Sequence, residues 1–130
     1  MIVADASVVI EVLFGSRSAP AVAERLFEPG QTLHAPHLID IEVAHVIRRY
    51  ATIGDIGDDR GRTAIQDLAD MPIRRYPHGE LLPRVWELQG NLSAYDAVYV
   101  ALAEALDATL LTRDRRLFAA ASRYARIEML

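Results

Sequence analysis

Four acidic residues are candidates for a shared catalytic or metal-binding site: Asp5, Glu42, Asp96 and Asp114. Carboxylates packed close together repel one another and raise each other's pKa unless a cation neutralises them. The chain has no cysteine and no pair of histidines at ligand spacing, so oxygen ligands suited to Mg²⁺ or Mn²⁺ are favoured over a zinc site. A hard cation held by carboxylates activates water and stabilises a leaving oxygen. Enzymes that cleave phosphodiesters commonly use such a cation.

Asp96 is the strongest candidate of the four. It lies in the first turn of a predicted helix, SAYDAVYVALAEAL at 93–106, whose other residues are apolar in almost every direction. An ionised carboxylate buried without a partner costs several kcal/mol or more, so Asp96 should be paired, bound to metal or exposed at an opening. The alternative is a capping arrangement in which Ser93 begins the helix and Asp96 replaces the usual glutamate.

Asp5 and Asp114 each come after a predicted strand and before a predicted helix. Asp5 directly follows the apolar segment 2–4, and Asp114 follows the segment 109–111 closely. If these two strands are neighbours, both carboxylates lie at one edge of the sheet. For either residue taken alone, helix capping is the favoured interpretation, because aspartate is common at that position.

Glu42 lies on the border of the apolar stripe of a helix predicted over 38–51. Asp40 lies on the opposite border, about 160° away around the helix axis, so the two acids cannot serve one site. The alternative for Glu42 is a solvated boundary residue paired with Arg49. Taken alone, Glu42 fits both interpretations equally well.

The elements that must position these acids alternate along the chain. Short apolar segments predict strands at 2–4, 32–35, 73–76, 109–111 and 127–129. Helical periodicity predicts helices at 6–14, 19–27, 38–51, 58–71, 78–88, 93–106 and 115–122. This alternation predicts an α/β fold with a parallel sheet and helices on both faces. Ligands of such sheets bind outside the carboxyl ends of the strands, where the strand order reverses.

Composition narrows the class of protein further. The chain has 130 residues, 52% of them hydrophobic, enough for one domain with a single core. The net charge of −4 gives no overall attraction to nucleic acid, and all 14 basic residues are arginine, which excludes P-loop and Schiff-base chemistry. No apolar run reaches the ~18–20 residues of a membrane span. The absence of cysteine and of a signal-peptide pattern leads us to expect a cytoplasmic protein without membrane contact.

Four motifs in order resemble those of the PIN-domain nucleases, and among them the VapC toxins of bacterial toxin–antitoxin pairs. They are IVADASVV at 2–9, LIDIEVAHVIRR at 38–49, SAYDAVYVALAEAL at 93–106 and LLTRDRRL at 110–117. The resemblance extends over the whole chain. It implies a single PIN domain over residues 1–130, with a three-layer α/β/α fold around a central parallel sheet of four to five strands.

The resemblance also implies an activity and a set of site residues. The activity is Mg²⁺-dependent endoribonuclease cleavage, with Mn²⁺ as a substitute. The catalytic acids of the family fall on Asp5, Glu42, Asp96 and Asp114. Of these, Asp5, Asp96 and Asp114 are expected to hold the metal, and Glu42 to complete its shell or orient the attacking water. Two small hydroxyl residues, Ser7 and Thr112, are expected to support the ligands by hydrogen bonds.

Partners follow from the same resemblance. It implies a homodimer, a structured RNA substrate such as tRNA or ribosomal RNA, and a cognate VapB-type antitoxin that inhibits the enzyme. Some relatives carry a further acid shortly after Asp114, where this chain has Arg115 and Arg116, so a second metal site would have few acidic ligands.

Two further features of the sequence have competing interpretations. Arg113, Arg115 and Arg116 could hold RNA phosphates at the rim of the acidic site, and the alternative is a solvated start of a helix. Trp86 is interpreted as a core or dimer-interface residue rather than a platform for stacking bases.

Two other functions are compatible with the fold class. One is a non-catalytic α/β module that binds a partner and whose acids are helix caps. The other is a phospho-aspartate protein, either a receiver domain or a phosphatase with Asp5 as nucleophile. The second is the weaker alternative, because the chain lacks lysine and has Ser7 where an aspartate-nucleophile phosphatase needs a second aspartate.

Overall fold

The computed structural model describes all 130 residues and contains one five-stranded sheet. The strands are β1 (Ile2–Ala4), β2 (Leu33–Pro36), β3 (Ile73–Tyr76), β4 (Thr109–Thr112) and β5 (Ile127–Met129). The helices are α1 (Ala6–Phe14), α2 (Ala19–Leu26), α3 (Leu38–Thr52), α4 (Asp58–Asp70), α5 (Leu82–Glu87), α6 (Ala94–Leu106) and α7 (Arg115–Ala121). The predicted α/β/α fold with a parallel sheet is therefore confirmed.

The order of the strands, β3-β2-β1-β4-β5, puts β1 in the middle, and every neighbouring pair is parallel. The chain first builds outward from β1 through β2 to β3 and then crosses back to place β4 on the other side of β1. Ala4 at the end of β1 pairs with Leu111 in β4. The order of strands thus reverses between β1 and β4, and the crevice beyond their carboxyl ends is the expected ligand site.

Helices cover both faces of the sheet. Right-handed crossovers place α1 to α4 over one face and α5 to α7 over the other. The contacts agree with this arrangement, because α1 packs against α2, α3 and α4, whereas α6 packs against α5, β1, β2 and β4. β1 and β2 are buried along their whole length, as strands covered on both faces should be.

The core is a single cluster of 32 buried apolar residues. Helix α6 contributes seven consecutive buried residues, Ala97 to Ala103, so the helix is enclosed almost all round. Only its ends reach the surface, and the first turn carries Asp96. Burial of α6 therefore anchors the carboxylate of Asp96 at the carboxyl edge of the sheet.

One predicted helix is interrupted. The segment predicted as a helix over 78–88 begins with a 3₁₀ turn, Gly79–Leu81, and only then continues as α5. Pro83 stands in the first turn of α5, the part of a helix that tolerates proline. Since proline has no N–H to donate, it cannot bond to the carbonyl of Gly79, and the turn before it closes instead through the N–H of Leu82.

Trp86 on α5 is 71% exposed, so the interpretation of this residue as part of the core is wrong. Its neighbours Val85 and Leu88 supply the packing of this segment instead. No helix in the structure combines the length and the hydropathy that crossing a membrane requires.

Candidate active site

Asp5 directly follows β1 at the carboxyl edge of the sheet and is almost completely buried, with 5% of its surface exposed. Its Oδ1 accepts hydrogen bonds from the Ser7 hydroxyl at 2.6 Å and from the backbone N–H of Val8 at 3.2 Å. The second of these bonds caps α1, so Asp5 is a helix cap as well as a site residue. Burial raises the pKa of Asp5, the three hydrogen bonds to its carboxylate oppose that effect, and repulsion from Asp114 adds to it.

Two hydroxyl groups hold Asp5 in place and connect β1 to the end of β4. Thr112 donates to Oδ2 of Asp5 at 2.5 Å, and its oxygen accepts the backbone N–H of Asp114 at 2.9 Å. The Ser7 oxygen accepts the N–H of Arg113 at 2.9 Å. Because each hydroxyl binds Asp5 on one side and the segment 113–114 on the other, the pair fixes the separation of the two acidic positions.

Replacement of Thr112 by valine is expected to destabilise the protein. Valine keeps the shape of this fully buried residue but removes both hydrogen bonds of its hydroxyl, leaving one oxygen of Asp5 and the N–H of Asp114 without a partner. We expect the free energy of unfolding to fall by about 2–3 kcal/mol, measured by urea denaturation. Thr109→Val on the same strand is the control, since the Thr109 side chain makes no hydrogen bond within the protein. Equal stability of the two variants would contradict a stabilising role for the hydrogen bonds of the Thr112 hydroxyl.

Asp114 and Asp96 face each other at the more open side of the crevice. Asp114 caps α7, accepting the N–H groups of Arg116 at 2.8 Å and Leu117 at 3.3 Å. Ser93 caps α6 by accepting the N–H of Asp96 at 3.1 Å, as the capping interpretation predicted. Asp96 is half-buried, and its pKa is raised by burial and then by repulsion from Asp114, while Ser93 and the charge of Arg116 oppose the shift. Each of the two residues therefore takes part in a helix cap and also belongs to the candidate site.

Glu42 reaches the same group of acids from α3. Its pKa is raised by burial and by repulsion from Asp96 and Asp5. Its partner is the Tyr99 hydroxyl, which donates to Oε1 at 2.5 Å, so the suggested pairing with Arg49 is wrong. Asp40 lies on the other side of α3, as predicted, and pairs there with Arg75 at 2.9 Å.

Tyr99 is the residue of this group that the sequence patterns did not single out. It lies one turn after Asp96 on α6 and is only 2% exposed. In the sequence it reads as another apolar position of a buried helix. Its sole distinguishing signal is the hydroxyl itself, because a buried phenol normally finds a hydrogen-bonding partner.

The structure thus brings all four predicted acids into one electrostatically coupled group. The charge of Asp114 contributes to the raised pKa of Asp5 and of Asp96, and the charges of Asp5 and Asp96 contribute to the raised pKa of Glu42. As they stand, no three His, Asp or Glu side chains are close enough together to hold a metal ion. The donor chemistry of the group is nevertheless that of a hard cation, since every available side-chain donor is a carboxylate or hydroxyl oxygen.

The three arginines beside Asp114 have different surroundings. Arg113 is partly buried and lies 3.7 Å from Glu11, whereas Arg115 and Arg116 are exposed. Only Arg116 lines the cleft of about 320 Å³ next to the acids, whose walls are formed by Asn91, Leu92, Ser93, Asp96, Asp114, Arg116 and Ala120. A larger cavity of about 730 Å³ lies between the C-terminal parts of α6 and α7 and contains none of the four acids.

A parallel sheet with this strand order and four acids at its carboxyl edge defines the class of protein. Residues 2–123 match the PIN domain, and the chain belongs to the PIN-domain family. Among its relatives, the VapC ribonuclease Mb0985 of Mycobacterium bovis is 44% identical over 117 residues, covering 90% of this chain and 88% of the relative. Ribonuclease VapC12 of Mycobacterium tuberculosis is 36% identical over 129 residues, covering 99% of this chain and 98% of the relative.

Solved structures share the fold at low sequence identity. VapBC2 from Rickettsia felis, bound to a DNA fragment from its promoter, superimposes with a TM-score of 0.74 at 14% identity, covering 100% of this chain and 99% of that chain. The Mycobacterium tuberculosis toxin VapC20, described as cleaving the sarcin–ricin loop, has a TM-score of 0.70 at 16% identity, covering 92% and 95%.

Proposed function

We propose that this chain is the toxin of a toxin–antitoxin pair and acts as a Mg²⁺-dependent endoribonuclease on structured RNA, either tRNA or ribosomal RNA. The observation that carries the proposal is the group of four coupled acids at the carboxyl ends of β1 and β4. Relatives named VapC ribonucleases, at 36% identity or more over nearly their full length, support the same class of activity.

Asp5, Asp96 and Asp114 would hold Mg²⁺, or Mn²⁺ in its place, and the bound cation would supply charge neutralisation and polarise the scissile phosphate. Burial and repulsion from Asp114 raise the pKa of Asp5 and of Asp96, and a bound cation would offset that repulsion. No three of the acids are close enough together in this structure to coordinate one ion directly. Mg²⁺ usually keeps several of its waters in protein sites, so Asp96 would bind the cation either directly or through water.

Glu42 would take the proton of the attacking water. Its Oε1 is engaged by Tyr99, while Oε2 receives no hydrogen bond from the protein and is available as the proton acceptor. The raised pKa of Glu42 suits this role, because a general base works best when its pKa approaches the working pH. Arg116, as the arginine on the cleft wall, would contact a phosphate oxygen of the RNA.

Partners complete the proposal. An antitoxin of the VapB type would inhibit the enzyme, and two structural neighbours, VapBC2 from Rickettsia felis and a toxin–antitoxin complex from Klebsiella pneumoniae, support such a partner. A homodimer is proposed from the family resemblance, and exposed Leu82 and Trp86 on α5 offer apolar surface for an interface. The proposed site of action is the cytoplasm.

The test is cleavage of purified tRNA and ribosomal RNA by the antitoxin-free protein, with the products separated on denaturing gels. We expect discrete fragments with Mg²⁺ or Mn²⁺, and loss of cleavage when a chelator is added. A single-stranded DNA of matched length serves as the control substrate. Cleavage that resists the chelator would contradict the metal mechanism. Absence of RNA cleavage under all conditions would favour the non-catalytic partner-binding module.

A further inference from the structure

The hydroxyl of Tyr99 lies among the acids of the candidate active site, although the mechanism above assigns it no role. It donates to Oε1 of Glu42 at 2.5 Å, and burial together with the Glu42 charge raises the pKa of Tyr99. The charges of Asp5 and Asp96 act on the same phenol. The phenol is therefore a permanent hydrogen-bond donor within this group at any ordinary pH.

The two partners differ in how firmly they are held. Tyr99 is 2% exposed on a helix that is buried on almost every side, so close packing restrains its ring. Glu42 is only partly buried and carries a long side chain with several rotatable bonds. Contact with a fixed donor selects one orientation of the carboxylate, in which Oε1 is occupied and Oε2 is free.

We propose that Tyr99 is a positioning residue that orients Glu42, so that the free carboxylate oxygen can accept the proton of the attacking water. This inference rests on the proposed ribonuclease function. It differs from a purely structural role for Tyr99, which would predict a change in stability but none in the turnover of the folded enzyme.

Tyr99→Phe removes the donor while keeping the ring. We expect kcat to fall about 10- to 100-fold, because the orientation of the proton acceptor is lost. We expect KM and the Kd for RNA, measured by fluorescence anisotropy, to stay within about twofold. Glu42→Gln should lower kcat about 100-fold or more. Because Tyr99 acts only through Glu42, adding Tyr99→Phe to Glu42→Gln should cause no further loss.

Tyr76→Phe is the matched control. It removes another partly buried hydrogen bond of a phenol, the one between the Tyr76 hydroxyl and Nδ1 of His34 at 2.6 Å, outside the group of acids. Its kcat should equal that of the wild type. Thermal unfolding of every variant is recorded, and the assays are run well below the lowest melting midpoint, so that any loss of stability is separated from loss of turnover.

Glu42→Asp is a second probe that leaves Tyr99 intact. It keeps the charge but draws the carboxylate one methylene away from the phenol, and we expect kcat to fall at least tenfold with KM unchanged. Wild-type kcat in either Tyr99→Phe or Glu42→Asp, beside an inactive Glu42→Gln, would overturn the positioning role alone. A wild-type protein that cleaves no RNA would overturn the proposed function and the role of Tyr99 with it.

Discussion

Asp96→Asn is expected to lower RNA cleavage about 100- to 1000-fold in kcat/KM and to weaken Mn²⁺ binding measured by calorimetry. The substitution removes a charge that faces Asp114 across the cleft but keeps the size of the side chain. It also preserves the cap of α6, because the Ser93 hydroxyl oxygen accepts the backbone N–H of residue 96, which the substitution keeps. The loss should therefore come from the chemistry of the site and not from unfolding.

The matched control for this change is Asp59→Asn, which alters an exposed acid in the first turn of another helix, α4. We expect wild-type cleavage and wild-type cation binding for this variant. If Asp96→Asn cleaved RNA as fast as Asp59→Asn does, Asp96 would be only a helix-terminal residue. The proposed metal-binding role of Asp96, the strongest candidate of the four acids, would then be wrong.

Cation affinity should fall steeply as the pH is lowered. In the folded, metal-free protein the pKa values of Asp5, Glu42 and Asp96 are all raised, chiefly by burial. A raised pKa means that these carboxyls already hold protons at a pH where ordinary carboxyls are ionised, so protons compete with the cation. Each carboxyl that must lose a proton contributes up to about tenfold in affinity for each pH unit below its pKa.

The measurement is Mn²⁺ titration calorimetry at a series of pH values from about 7.5 down to about 4, with protons released on binding determined in two buffers of different ionisation enthalpy. Proton release should increase as the pH falls. Asp96→Asn removes one of the competing groups and should flatten the pH dependence, whereas Asp59→Asn should leave it unchanged. Affinity independent of pH over this range, with no proton release, would contradict a shared acidic site.

Much of the local structure was predictable because it depends on neighbours along the chain. The apolar segment before Asp5 and the segment 109–111 predicted two strands that the structure contains, and the helical stripe of 38–51 placed Asp40 and Glu42 on opposite sides of α3. The capping pattern around Ser93 was equally local. Over 78–88 the predicted helix is divided at Pro83 into a 3₁₀ turn and α5. For Trp86, burial in the core is wrong, and a place in a dimer interface stays a prediction.

The hydrogen-bonding partners of the site residues could not be predicted from the sequence. Tyr99 and Glu42 are 57 positions apart, and Thr112 and Asp5 are 107 apart, so no periodicity connects either pair. The three arginines after β4 looked equivalent in the sequence. They are distinguished only by what stands opposite them, which is Glu11 for Arg113 and the cleft for Arg116.

The sequence by itself therefore determined which acids follow strands and which helix is buried. It also determined that the candidate ligands are oxygen atoms, which favour a hard cation. Only the tertiary structure decided how those groups combine. The order of strands brings the ends of β1 and β4 together, and the burial of α6 holds Asp96 and Tyr99 against them. The physical reason is that side-chain periodicity reports which face of an element is buried, whereas contacts between elements depend on how the whole sheet is assembled.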